Sequence, residues 1–222
     1  ELQEFAYVAS HDLQEPLRQV SAFAQLLERE SRDQLSDDAR RALDYVVEGA
    51  GRMREQITAL LSYSRTDRAE VKLESFAVGP LVDEVVNDLQ AALAEARGEV
   101  EHGPLPQLEA DRRLIHRVFQ NLLGNAIKYR ADDRPLRIHI AAERGAQAWV
   151  FSVRDNGPGV APEHRQRIFR IFQRLPPRDS AGSGIGLAIS KKAVERHGGR
   201  IWVEAGEDGG AVFKFEIPDP AR

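Results

Sequence analysis

Apolar residues recur at alternating spacings of four and three from Leu2 through Ala6, Ala9, Leu13, Pro16, Val20 and Phe23 to Leu27. The same spacing returns at Leu43, Val46, Ala50, Met53, Ile57 and Leu60. This is a heptad seam, which commits each stretch to a long helix packed lengthwise on other helices. The polar run 31–38 between them has no apolar period and ends in Ser36, Asp37 and Asp38, which can cap a following helix. The expected unit is therefore an antiparallel hairpin of helices at about 1–30 and 37–66. Val47 and Leu61 widen the second stripe beyond what one partner helix covers. Two hairpins are thus expected to form a four-helix homodimer, with Ile57 and Leu60 buried between them. Pro16 removes one backbone donor and predicts a bend or loosened turn. The helical pattern is already running at residue 1, so an upstream segment feeding this helix is expected.

Residues 65–73 are charged and lose the period, which divides the chain into domains at 1–68 and 69–222. Beyond the boundary the pattern becomes mixed. Strands are expected near 73–78, 99–102, 106–110, 137–143, 148–154, 200–205 and 211–217. Helices are expected from Pro80 to about 97, from a cap at Asp111 to about 129, from Pro162 to about 174, and up to Gly198-Gly199. The fold class is α+β: the helical hairpin, then an α/β sandwich whose mixed sheet carries helices on one face.

Against this frame four clusters can carry chemistry. At about 100° per residue, His11 falls midway between Ala9 and Leu13 and points away from the seam, into solvent, with Asp12 beside it. Asn121, Asn125 and Lys128, spaced four and three, share one stripe of their helix. Amide oxygens suit a hard cation and an ammonium suits phosphoryl oxygens. Asp155-Asn156-Gly157-Pro158-Gly159 ends a strand. Its glycines let backbone approach a ligand, and an acceptor-only carboxylate suits an exocyclic amine such as that of adenine. Gly182-Ser183-Gly184-Ile185-Gly186-Leu187 opens a helix whose free amides favour anions. No Lys-Ser/Thr pair follows its last glycine and no strand leads directly into it, so it is neither a Walker loop nor a Rossmann fingerprint.

In this order the clusters resemble the sensor histidine kinases. The stretch S-H-D-L-Q-E-P-L (10–17) looks like their phosphoacceptor box, in a form similar to the phytochrome-type branch. N-L-L-G-N-A-I-K-Y (121–129), D-N-G-P-G (155–159), I-F-R-I-F-Q-R-L (168–175) and G-S-G-I-G-L-A-I (182–189) resemble the N, G1, F and G2 boxes of the ATP-binding domain. K-K-A-V-E-R-H-G-G-R-I-W-V-E (191–204) is also phytochrome-like. The resemblance implies a dimeric phosphoacceptor bundle followed by a domain that binds ATP under a lid at 175–181. It implies that Asn125 holds Mg²⁺, that Asn121, Lys128 and Tyr129 contact the nucleotide, and that Asp155 receives the adenine amine. Gly157 and Gly159 would shape that turn, and Gly182, Ser183, Gly184, Ile185, Gly186 and Leu187 would line the phosphates. Phe169 and Phe172 fit either core packing or a gating role. Related ATPases of the gyrase and chaperone type carry a glutamate where Asn121 stands. Asn cannot serve as a general base near neutral pH, which favours transfer to a side-chain nucleophile over hydrolysis. Val212 stands where such kinases often have Thr.

The expected activity is an ATP-dependent protein-histidine kinase of a two-component system, in which Asp12 polarises His11 and the phosphoryl group passes to the receiver domain of a response regulator. Glu15, one turn on from His11, stands where related enzymes that also act as phosphatases carry Thr or Asn. A carboxylate there repels an incoming phosphoryl group, which argues against dephosphorylation, or takes a proton from water as a catalytic base, which argues for it. One alternative is thus a response-regulator phosphatase using the same surface, and a second is a non-catalytic dimeric signal-relay scaffold. An upstream sensory domain, responsive to light on the phytochrome resemblance, is a further expectation. The formal net charge of −4 gives no drive towards nucleic acid or an anionic membrane. No apolar run approaches the roughly 20 residues of a membrane span, so a cytoplasmic segment is expected. The absence of cysteine removes thiolate metal sites and thiol nucleophiles.

Overall fold

The computed structural model describes residues 2–68, 70–173, 184–206 and 209–219, and the side chains of 2–13, 33, 55 and 59–68 fall outside that description. The chain forms two compact units.

The first unit is the hairpin of α1 (Leu2–Ser31) and α2 (Asp37–Arg68), joined by a 3₁₀ turn over Arg32–Gln34. The Ser36 hydroxyl accepts from the Ala39 amide at 3.3 Å, capping α2. Arg32 pairs with Asp44 at 3.1 Å, and the Arg40 guanidinium donates to the Arg32 carbonyl at 3.0 Å, so side chains close the turn. α1 continues through Pro16 as one helix. The packing line inside the hairpin is Leu17 and Ala24 with Leu43 and Ala50, all buried. Pro16 and Phe23 precede Leu17 and Ala24 by one residue, so the contact line is turned about 100° from the expected seam. The seam residues Val20, Phe23, Leu27, Val46 and Met53 stay 47–66 % exposed. Two helices need only a narrow contact line; the wider stripe covers two adjacent faces, as a helix inside a four-helix bundle requires.

The second unit is built on a five-stranded sheet in the order β2-β4-β5-β7-β6, comprising β2 (Glu99–His102), β4 (Arg137–Arg144), β5 (Ala148–Asp155), β6 (Ile201–Ala205) and β7 (Ala211–Pro218). β2 pairs with β4 in parallel and every other pairing is antiparallel, so the sheet is mixed. A separate antiparallel pair joins β1 (Glu74–Ala77) to β3 (Gln107–Ala110). Helices α3 (Val78–Asp88), α4 (Gln90–Glu95), α5 (Arg112–Lys128) and α6 (Gly186–Glu195) complete it. Alternation fixes the buried face: Ile138, Ile140, Phe151, Val153, Phe213, Phe215 and Ile217 are core, while Arg137 and His139 are exposed. Phe119 of α5 meets Phe151 and Phe215 edge-on at 6.0 and 5.4 Å, closing the core between helix and sheet. Each such buried side chain contributes roughly 1.5–3 kcal/mol.

Two expected helices differ. The stretch from Pro80 to 97 breaks at Leu89, between α3 and α4. Residues 162–174 make no α-helix over the described part; they form 3₁₀ turns at Pro162–His164 and Arg167–Phe169. Arg170 is extended, and Phe172 sits at φ +61°, a left-handed conformation that breaks any helix. Consecutive Ile168 and Phe169 both enter the core, a demand that a tight turn meets better than a helical stripe.

Candidate functional site

The expected phosphoacceptor segment lies in α1, with His11 and Asp12 on helical backbone and their side chains outside the described residues. Glu15 is described. It is exposed and forms an ion pair with Arg18 one turn on, Nη2 to Oε1 at 2.7 Å, with a second contact from Nε at 3.3 Å. The Arg18 hydrogen bond and charge hold the Glu15 carboxyl below the usual glutamate range.

Asn121, Asn125, Lys128, Tyr129, Asp155, Gly157 and Gly159 lie in the α/β unit. α5 starts at Asp111, whose Oδ1 accepts from the Leu114 amide at 3.1 Å. One helical turn separates Asn121 from Asn125, and Lys128 follows at the last turn. Among the described residues the Asn125 side chain has no hydrogen-bond partner, so its amide oxygen is available to a hard cation. Lys128 donates to the Tyr129 hydroxyl at 2.9 Å, with its ammonium 4.5 Å from that ring's centroid. Asn121 is engaged differently: its Nδ2 donates to the Gly186 carbonyl at 3.0 Å and to the Ser190 hydroxyl at 3.1 Å. No three His, Asp or Glu side chains gather as a metal cage among the described residues. A Mg²⁺ ion here would rely on an amide oxygen, phosphate oxygens and water, all hard oxygen donors.

Asp155 ends β5 on the buried face. Its Oδ1 accepts from the Gly157 amide at 2.8 Å and the Ala211 amide at 3.3 Å. Oδ2 has no partner among the described residues and remains open to an external donor. Burial pushes the Asp155 carboxyl up, and the two backbone amides partly oppose that shift. The turn after it is sterically closed. A Cβ on Gly157 would lie 2.9 Å from both the Asp155 carboxylate and the Tyr129 carbonyl, and Gly159 stands at φ +74° with a Cβ position 2.5 Å from the Gly209 carbonyl. Asn156 clips the turn to β4, accepting from the Arg137 amide at 2.9 Å and donating to the Pro135 carbonyl at 2.9 Å.

Gly184 takes φ +69°, Ile185 is fully buried, Gly186 begins α6, and Leu187 packs partly against the core. Gly182, Ser183 and residues 175–181, where a lid is expected, lie outside the described residues. Phe169 is core, edge-on to Phe213 at 6.4 Å, whereas Phe172 is 49 % exposed. A cavity of about 340 Å³ is lined by Glu99, Glu101, Arg137, His139 and Arg154 together with Asp155 and Asn156. Arg137, His139 and Arg154 alternate with core Ile138 and Val153, so most of its charged lining belongs to the sheet face away from the core.

Three participants escaped the sequence reading. Gly210 allows β7 to start against the Asp155 turn, since a Cβ there would fall 1.8 Å from the Asp155 carbonyl. The Gly209-Gly210 pair was the available signal. Ser190 is fully buried and looked like an ordinary helix residue. The His197 ring accepts from the Asp111 amide at 3.0 Å, and its Nδ1 lies 2.7 Å from the Ala193 carbonyl, so Nδ1 carries the proton.

Comparison with known proteins bears on both units. The family described as His Kinase A (phospho-acceptor) domain matches residues 1–69, and that described as Histidine kinase-, DNA gyrase B-, and HSP90-like ATPase matches residues 110–221. Cyanobacterial phytochrome A of Nostoc sp. (strain PCC 7120) is 47 % identical over 223 residues, covering 100 % of this chain and 29 % of the relative. Phytochrome-like protein Cph1 of Synechocystis sp. (strain PCC 6803) is 43 % identical over 219 residues, 98 % of this chain and 29 % of its own length. The chain thus spans less than a third of these curated relatives. The crystal structure of full-length ShkA in complex with AMPPNP superposes with a TM-score of 0.72 at 28 % identity, covering 99 % of this chain and 47 % of ShkA.

Proposed function

The chain belongs to the histidine kinase family, and we propose that it is the output module of a phytochrome-type sensor kinase that moves the γ-phosphoryl group of ATP to His11 and then to an aspartate of a response regulator. The observation that carries the reading is Asp155. A half-buried carboxylate with one oxygen spent on backbone amides and the other without a partner among the described residues is an acceptor waiting for a donor, and the adenine exocyclic amine supplies one. The closed glycine turn beside it fixes that carboxylate, with the Gly157 amide held on Oδ1.

In this reading Asn125 offers its amide oxygen to Mg²⁺, which supplies neutralisation of phosphate charge when bound. Lys128 and Tyr129 contact the nucleotide, and the main chain from Gly182 to Leu187 lines the phosphates at the start of α6. His11 attacks the γ-phosphorus through its unprotonated ring nitrogen. An N–P bond forms, the bond to the bridging oxygen breaks and ADP leaves. Asp12 holds the proton on the other ring nitrogen and stabilises the imidazolium that develops. The exposed stripe of Val20, Phe23, Leu27, Val46 and Met53 supports a homodimer of hairpins. Since this chain spans only part of its relatives, an upstream sensory domain is part of the proposal. Among the described residues, no helix is long and apolar enough to cross a membrane.

The test is incubation with labelled ATP and Mg²⁺, with and without a receiver domain, following acid-labile phosphate on each protein. Label on this chain that moves to the receiver supports the proposal. Failure of ATP to bind or label would leave the scaffold reading. Accelerated loss of regulator phosphate without labelling of this chain would favour the phosphatase.

A further inference from the structure

Asp111 and Ser190 are the buried polar or charged side chains among the described residues, and each sits where α5 is tied to α6. At one end the Asp111 backbone amide donates to His197, just beyond α6. At the other, Asn121 of α5 donates to both the Gly186 carbonyl and the Ser190 hydroxyl, while that hydroxyl donates back to the Gly186 carbonyl at 3.2 Å. A buried hydroxyl that bonds the carbonyl four residues back gives a helix little by itself. Here it completes a three-membered network around the first residue of α6.

The orientation of the Asn121 amide follows from its partners. The Gly186 carbonyl only accepts, so Nδ2 must face it. Oδ1 is then turned to the Gly186 Cα, where an added Cβ would stand 3.3 Å away. A carboxylate at 121, the group that would activate water, has no donor for this carbonyl and would set oxygen against oxygen. We propose that Asn121 is a positioning residue rather than a nucleotide or metal ligand, fastening the phosphate-facing start of α6 to α5 so that it keeps its register with Asn125 one turn further on. The consequence for ATP rests on the kinase reading above; the fastening itself does not.

Asn121→Asp keeps the shape and the oxygen and removes the donor, so it separates the two roles. Ser190→Ala removes the second partner and, being slightly smaller in a buried site, keeps the test open should Asn121→Asp fail to fold. Amide hydrogen exchange is measured over 186–190 in the chain without nucleotide. We expect exchange about tenfold faster in Asn121→Asp and about threefold faster in Ser190→Ala, with the central strands unchanged. Calorimetry with ATP should show affinity weakened by about tenfold in Asn121→Asp, equally in Mg²⁺ and in EDTA. Wild-type exchange in both variants overturns the proposal. So does a loss of affinity confined to Mg²⁺, which would mark Asn121 as a metal ligand. A wild-type chain that binds no ATP would count against the kinase reading alone, since exchange at α6 still decides the fastening.

Discussion

The two units bury their apolar residues to very different degrees. In the α/β unit Phe119, Phe151, Phe215, Leu81, Ile115, Leu123 and Ile140 are all but inaccessible. In the described part of the hairpin the buried apolar residues are Leu17, Ala24, Leu43 and Ala50, while Phe23 is 66 % and Leu27 53 % exposed. One unit finishes its core within the chain and the other leaves half of its apolar stripe for a second surface. An enzyme that must bring a nucleotide to a side chain on a bundle can use that division: a rigid holder for ATP, and a helical body whose assembly depends on a partner.

The largest expected effect separates chemistry from holding. His11→Ala should abolish phosphate labelling completely while leaving ATP affinity in the other unit unchanged, by calorimetry. Acid-labile label persisting in this variant would place the acceptor elsewhere. Next comes the apolar stripe. Phe23→Asp puts a poorly paired charge into the expected interface, a cost of several kcal/mol, yet it should leave the α/β unit folded. Sedimentation should show a monomer with native-like thermal unfolding of the second unit. Ile57→Asp, at a half-buried position further along α2, is expected to act in the same direction. A stable dimer from both would move the interface off this stripe.

These expectations also show how much could be read from residue order. The strands of the sheet and the Asp111 cap were legible because alternation and capping chemistry are local. The seam was legible as a period but not as a direction. A stripe wide enough for two neighbours does not say which half meets the helix of the same chain, so Leu17 and Ala24 pack inside while Phe23 faces out. Residues 168–172 looked helical because Ile168, Phe169, Ile171 and Phe172 mimic a helical stripe; adjacent core positions and the left-handed Phe172 turned them into short turns. Spacing puts Asn121 on one stripe with Asn125 and Lys128, but it cannot reveal whether the nitrogen or the oxygen of an amide is in use. That depends on Gly186 and Ser190, more than sixty residues away in the chain.

Asp155 offers a sharper contrast within the completed core, because binding and stability should respond in opposite directions. Its carboxyl is raised by burial, so at neutral pH the ionised form costs the unliganded fold. A group whose folded pKa lies above its unfolded value adds stability below the unfolded pKa and loses it as pH rises through the folded one. Asp155→Asn keeps an oxygen for the Gly157 and Ala211 amides and removes the charge. It should therefore raise the Tm of the nucleotide-free chain at pH 7, with the advantage over wild type shrinking as pH falls through the carboxylate range. ATP affinity should drop by about ten- to a hundredfold, the usual loss when a charged hydrogen-bond acceptor is replaced. A variant that is both less stable and fully competent for ATP would contradict the assignment of Oδ2.

The smallest expected effect is at Glu15, on the open side of the hairpin. A carboxylate one turn from His11 could take a proton from water and so drive loss of phosphate from a docked regulator. The Arg18 pair argues against it: the guanidinium occupies both carboxylate oxygens and holds the carboxyl below its ordinary range, which makes a weaker base. The pair is solvent-exposed, so it adds little to stability and is weakened by salt. Regulator phosphate should therefore decay at about the same rate with wild type, with Glu15→Ala and with no added protein, changing by less than about twofold in each comparison. Arg18→Ala frees the carboxylate and tests the cause. If decay then quickens, and quickens only while Glu15 is present, the ion pair is what holds this surface to the kinase direction. If wild type already accelerates decay and Glu15→Ala abolishes it, the carboxylate is catalytic despite its partner and the phosphatase reading takes precedence.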